Sequence, residues 1–246
     1  MPKPETQESL KEIYTLMVVS LKSSVPNIEG KLNEYRDLDY KDWSDDDFFE
    51  VMARTIFAGI RDETIEKKWP AVTKAFSSFK IGKVARYTEK DVEWLMKNTK
   101  IIRHKDKIKA TISNAKKMEH IIREHGSFVN YINSFPSGDD LIEKLQGYYG
   151  GFSWIGEVNV YEFAKELGLP FIKPDRQIKK VFLRLGLIDR KTSPEGIVEV
   201  GKAMAEEVKE RPCVVDWALW SFGNQICKAK PGCERCGLTN LCQWRN

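Results

Sequence analysis

The chain has 246 residues, 41% of them hydrophobic, with 16 Gly and 10 Pro. That is enough for a substantial core, and it argues against disordered, collagen-like and membrane-spanning classes. Lys and Arg number 40 against 36 Asp and Glu, a formal net charge of +4, so charge alone names no partner.

The N-terminus, Met1-Pro2-Lys3-Pro4-Glu5-Thr6, is polar and lacks the apolar core and small-residue cleavage site of a secretory signal. A cytoplasmic location is expected, nucleoid-associated in a prokaryote. Apolar residues then recur at helical spacing, as in Leu10-Ile13-Leu16-Met17-Leu21 and Phe48-Val51-Met52-Thr55-Ile56. Strand-like alternation is scarce, so the expectation is an all-α chain of about ten helices. Ser44-Asp45-Asp46-Asp47 is an acidic, cap-rich helix start, Asp62 reads as a helix cap, and Thr88-Glu89-Lys90-Asp91 has capping-box form. The run Ile101-Ile102-Arg103-His104-Lys105-Asp106-Lys107-Ile108-Lys109 carries a basic face, which suits phosphates or plain solvation. Pro136-Ser137-Gly138-Asp139-Asp140 marks a break.

Two glycine-bearing segments follow. Gly150-Gly151-Phe152-Ser153-Trp154-Ile155-Gly156 is an ordinary interhelical turn or a hairpin whose N–H groups approach a phosphate. Such a hairpin would hold a DNA strand without reading its sequence. After Gly168-Leu169-Pro170-Phe171-Ile172-Lys173-Pro174 comes Asp175, ahead of the basic helix that holds Arg176, Lys179, Lys180 and Arg184. Asp175 suits a helix N-cap, and it equally suits a carboxylate with chemical work, since a helix N-terminus favours an anion.

Four of the five cysteines, Cys227, Cys233, Cys236 and Cys242, fall in the last twenty residues with spacing C-x5-C-x2-C-x5-C. In a reducing compartment clustered thiols are metal ligands more often than disulfides. Four thiolates suit tetrahedral zinc or a [4Fe–4S] cluster, and the single C-x2-C knuckle favours the cluster. Cys213, in an apolar run, reads as a buried small hydrophobe.

The segment Asp216-Trp217-Ala218-Leu219-Trp220-Ser221-Phe222-Gly223-Asn224-Gln225-Ile226-Cys227, with Lys230-Pro231-Gly232-Cys233-Glu234-Arg235-Cys236, resembles the C-terminal iron–sulfur segment of endonuclease III and adenine glycosylases. The first gap between cysteines is one residue shorter here. These enzymes belong to the helix-hairpin-helix DNA glycosylase superfamily. The resemblance implies a two-lobed helical fold with a small iron–sulfur loop. It divides the chain into a glycosylase domain over 1–225 and a four-cysteine loop over 226–246, with a central helical barrel at about 45–135 and the hairpin and catalytic segment at about 145–187.

By the same resemblance Asp175 is the catalytic carboxylate, while Gly151, Gly156 and Val158 belong to the DNA-gripping hairpin. Bifunctional members carry a Lys where Val158 stands, and its neighbours Glu157 and Asn159 are not Lys either, which implies hydrolysis without lyase activity. Gly59 occupies the position of a side chain that enters the base stack, leaving Ile60 or Arg61 to act.

Residues 47–135 resemble 3-methyladenine DNA glycosylase I, most specifically through Ile101-Ile102-Arg103-His104, Lys107-Ile108 and Asn114-Ala115. This places Lys105 and Lys107 near DNA. The family's substrate-reading Glu falls on Arg54 here, and its Cys/His zinc site has no counterpart. A flipped base needs an aromatic pocket, and Trp43, Phe57 and Trp154 are the candidates, with Trp69 nearby.

The expected function is a monomeric, monofunctional glycosylase for duplex DNA that hydrolyses the N-glycosidic bond of an alkylated purine such as 3-methyladenine. The alternatives are a glycosylase for deaminated or mismatched bases, a non-catalytic iron–sulfur DNA-binding protein, and a zinc-stabilised helical scaffold. No membrane association is expected.

Overall fold

The computed structural model describes residues 9–147 and 150–244; the N-terminal segment read as lacking a signal lies outside them. Thirteen α-helical segments appear among the described residues, with an isolated bridge between Gln146 and Phe152 in place of any sheet. The count exceeds ten because short pieces, such as Ile81–Val84 and Phe128–Asn133, are too brief to show a period. No helix among the described residues is long and apolar enough to cross a membrane.

In chain order the helices are α1 (Leu10–Lys22), α2 (Ile28–Arg36), α3 (Asp45–Ile56), α4 (Asp62–Ala75), α5 (Ile81–Val84), α6 (Glu89–Lys97), α7 (Lys105–His125), α8 (Phe128–Asn133), α9 (Gly138–Leu145), α10 (Asn159–Glu166), α11 (Arg176–Arg184), α12 (Pro194–Val208) and α13 (Pro212–Gln225). They form two compact units, one from residues 1–39 with 164–246 and the other from 40–163.

In the 40–163 unit the helix starts are written in the sequence. Ser44 and Asp47 cap each other's backbone at α3, and Thr88 and Asp91 do so at α6. Ser137 caps α9 just after the proline break. α4 differs from expectation by one position: Arg61 is the N-cap and Asp62 the first helical residue. The core is rich in rings: Phe48, Phe49, Phe57, Phe76, Phe79, Phe128 and Phe152 are fully buried. Phe79 lies 5.4 Å from Trp69 and 5.7 Å from Phe76, both stacked.

The other unit packs α1, α2, α11, α12 and α13 around a mainly aliphatic core that includes Met17, Leu21, Val181, Phe182, Val214, Leu219 and Phe222. Because its chain is discontinuous, polar clamps join the ends. Arg211 donates to the carbonyls of Tyr35, Arg36 and Leu38 and to that of Gly168, so it caps the otherwise orphaned C-terminus of α2. Arg36 makes a two-pronged pair with Glu210. Cys213 is buried, as its apolar surroundings suggest, and burial pushes its thiol pKa up.

Candidate functional site

In the 40–163 unit, the chain between α9 and α10 forms a tight hairpin. Phe152 N–H donates to Leu145 O, and Gly147 N–H to Ile155 O, while Phe152 and Ile155 are buried. Gly151 is required by its own chain, because a Cβ there would stand 2.2 Å from Gln146 O. Gly156 differs: it is exposed, and a Cβ there meets nothing within 4 Å. Among the described residues, no protein acceptor takes the N–H groups of Gly156, Glu157 or Val158, which lead into α10. Orphan donors at a helix start attract anions. Val158 itself is half-buried and contributes backbone there.

Trp154, between the glycines, adopts a left-handed backbone (φ 66°) with its ring 43% exposed. A bulky residue there is strained, and such strain persists only where surroundings enforce it. α7 supplies the enforcement. The buried Asn114 donates to Ser153 O at 2.9 Å and accepts from Ser153 N–H at 2.8 Å. Lys117 donates to the carbonyls of Gly150 and Gly151, and burial lowers its pKa. The rings of His104 and Trp154 meet edge to face at 5.3 Å. Trp154 borders an open cleft of about 440 Å³ with Asp106, Lys109, Ser113 and Ser153.

The basic run divides accordingly. Lys105 and Lys109 are exposed, and Lys109 pairs with Glu89 at 2.8 Å. Lys107, expected on a phosphate-facing surface, is instead 6% exposed, donating to Ala58 O at 2.6 Å with its ammonium 5.3 Å from the Trp154 ring. Burial lowers its pKa. Helical spacing held the signal, since Lys107, Thr111, Asn114 and Met118 lie on one buried face.

The aromatic candidates do not gather. Phe57 is a core ring closed against Trp69, and Trp43 packs on Phe48 at 5.5 Å; of the three, Trp154 offers the exposed surface. Arg54 stacks on Trp69 at 5.2 Å and pairs with Glu66.

In the other unit, Asp175 is the N-cap of α11. Its Oδ1 accepts from Gln177 N–H at 2.7 Å and Ile178 N–H at 3.0 Å. Among the described residues Oδ2 has no hydrogen-bond partner, so half of the carboxylate is held and half is available. Asp216, 1% exposed on α13, accepts from Lys173 N–H at 2.6 Å. Its place among Val214, Val215, Ala218 and Leu219 was the sequence signal, a charge on an apolar face.

The four clustered cysteines line one cavity together with Arg184 and Trp244. Burial raises the Cys236 thiol pKa, and the other three cysteines add to the effect. Arg184, at the far end of α11 from Asp175, donates to Cys227 Sγ at 3.2 Å and to Lys228 O, and stacks on Trp244 at 4.7 Å. Among the described residues, no group of three His, Cys, Asp or Glu side chains has the arrangement to hold a single metal ion.

A model of the family described as methyladenine glycosylase matches residues 31–149. The DNA-3-methyladenine glycosylase of Haemophilus influenzae (strain Rd) is 29% identical over 164 residues, covering 57% of this chain and 89% of that one. DNA-3-methyladenine glycosylase 1 of Escherichia coli K12 is 30% identical over 131 residues, covering 46% and 70%. A solved structure of a trapped endonuclease III–DNA covalent intermediate superposes with a TM-score of 0.60 at 15% identity over 96% of each chain, a likeness of fold. The match to the Escherichia coli protein, at 30% identity over more than two thirds of its length, together with the family model at residues 31–149, makes this chain a member of the methyladenine glycosylase family.

Proposed function

We propose that the chain is a DNA N-glycosylase of base excision repair that removes an alkylated purine, with 3-methyladenine the first substrate to assay. Family membership carries the activity, since both curated relatives are DNA-3-methyladenine glycosylases. For the chemistry, the supporting observation is Asp175, whose anchored Oδ1 leaves Oδ2 available. Loss of a base passes through an oxocarbenium-like sugar, which a fixed carboxylate stabilises while orienting the attacking water. Val158 offers no amine for attack on the sugar, so hydrolysis is the expected outcome. The unpaired N–H groups at 156–158 suit a DNA phosphate.

Cys227, Cys233, Cys236 and Cys242 would hold a [4Fe–4S] cluster. The supporting observation is that all four cysteines border one cavity, which matches the four thiolates a [4Fe–4S] cluster takes, one per iron. When bound, the cluster staples a segment with little apolar core and supplies one-electron chemistry. Brown protein with stoichiometric iron is the expected preparation; colourless protein with zinc refutes the cluster.

A second substrate class, deaminated or mismatched bases, belongs in the same assay because Arg54, a cation, stands where the family resemblance expects a carboxylate. The test is base release across a panel of modified duplexes, with Asp175→Asn beside the wild type. The variant is expected to lose at least about 100-fold in rate while binding duplex normally; equal release by the two proteins refutes the role of Asp175.

A further inference from the structure

Asp216 lies on α13, far in sequence from Asp175, yet the two are joined through one residue. Asp216 Oδ1 accepts from Lys173 N–H at 2.6 Å, and Lys173 O accepts from Asp175 N–H at 2.8 Å. We infer that Asp216 is a positioning residue, which fixes the Lys173-Pro174-Asp175 segment so that the Asp175 carboxylate stands where the reacting sugar needs it. The inference rests on the reading of Asp175 as the catalytic carboxylate.

A carboxylate that is 1% exposed is expensive and persists only when paired and hydrogen-bonded. Asp216 meets both conditions, since its Oδ2 lies 3.6 Å from Lys165 Nζ, itself on a buried side chain. The preceding residues are anchored by the buried Phe171 and Ile172, and Pro174 fixes its own φ. The segment is therefore held at three successive places: the Asp216 bond to Lys173 N–H, the Lys173 bond to Asp175 N–H, and the Asp175 bonds to the first turn of α11. Of these, the Asp216 bond reaches farthest along the chain, tying the segment to another helix. Electrostatic stabilisation of a cationic sugar depends on placement, and a shift of about 1 Å can cost about 100-fold in rate.

Removing one member of a buried ion pair risks unfolding, so the test compares two neutral pairs of similar volume. Lys165→Met with Asp216→Asn keeps an acceptor for Lys173 N–H; Lys165→Met with Asp216→Leu removes it. Base release is measured under single-turnover conditions on a lesion-bearing duplex, with duplex affinity and thermal melting in parallel. The Leu pair is expected to be slower by at least about tenfold at equal affinity, and the Asn pair to recover most of that loss. In an Asp175→Asn background the difference between the pairs is expected to vanish, because no placed carboxylate remains. Equal rates for the two pairs overturn the inference, as does the same rate difference surviving in the Asp175→Asn background. If Asp175→Asn itself releases base like the wild type, the failure belongs to the catalytic reading of Asp175.

Discussion

Residues 40–163 form one uninterrupted stretch whose core is rich in aromatic rings, whereas the second unit joins an N-terminal segment to everything after residue 163 around a mainly aliphatic core. The family model falls mostly on the first, at residues 31–149, and that unit carries the hairpin. Asp175 and the four cysteines belong to the second. A contiguous unit can rely on local signals such as capping boxes, while a stitched one must spend charged side chains on long-range clamps. The features proposed to grip DNA are thus built locally, and those proposed to do chemistry depend on contacts between distant parts of the chain.

The sharpest way to break this contrast is Arg211→Met. The substitution removes the donor shared by the carbonyls of Tyr35, Arg36, Leu38 and Gly168, and a lost partner costs an acceptor about 1–3 kcal/mol, relieved in part by water and, at Tyr35, by the Cys213 thiol. A net loss of about 4 kcal/mol is expected. Hydrogen exchange should show it in residues 9–39 and 164–244 with protection in 40–163 retained; uniform loss of protection would show that the units are not separate in stability.

Asn114→Ala probes the same question in the other unit. It removes both partners of the Ser153 peptide, for an expected cost of about 2 kcal/mol. Protection should be lost around 147–156 first, and duplex affinity should fall with it. A smaller effect, and a more selective one, is expected from Gly156→Ala. The protein has space for the methyl group, so melting should not move, but a closely approaching phosphate does not have that space. Duplex affinity is expected to weaken about tenfold, or about 1.4 kcal/mol, with base release from the bound complex unaltered. Unchanged affinity would remove Gly156 from the DNA surface.

Much of this was legible in sequence wherever the determining contacts are local. Ser44 with Asp47, Thr88 with Asp91, and Asp175 ahead of α11 are caps that three- and four-residue spacing reveals. The hairpin was legible too, but the division of labour between its glycines was not, since that depends on whether Gln146 O or open space faces each one. Lys107 was read within a basic run near DNA, yet its side chain is buried, because a sequence run shows charge before it shows which helical face is buried. The apolar neighbours of Asp216 signal its burial, but not what it holds, because its partner peptide lies 43 residues away.

The smallest expected effect concerns the capping boxes of the 40–163 unit. The Asp47 carboxyl is held below its ordinary pKa of 3.8 by hydrogen bonds from the Ser44 hydroxyl and backbone N–H, and Asp91 likewise by the Thr88 backbone N–H and hydroxyl. A carboxylate whose pKa is depressed on folding adds stability that is complete above the unfolded value and is lost as pH falls through the folded one. The contribution therefore holds at neutral pH and declines below about 3.8. Asp47 is exposed and Asp91 half-buried, so solvent screens the interaction and keeps it small. Other carboxylates, Asp189 of the second unit among them, titrate in the same window, so the difference between proteins carries the information. Asp47→Ala with Asp91→Ala should melt lower than wild type at pH 7, with the gap closing as pH falls toward 3. A gap that stays constant would show that the boxes act through helix propensity alone and owe nothing to the charge.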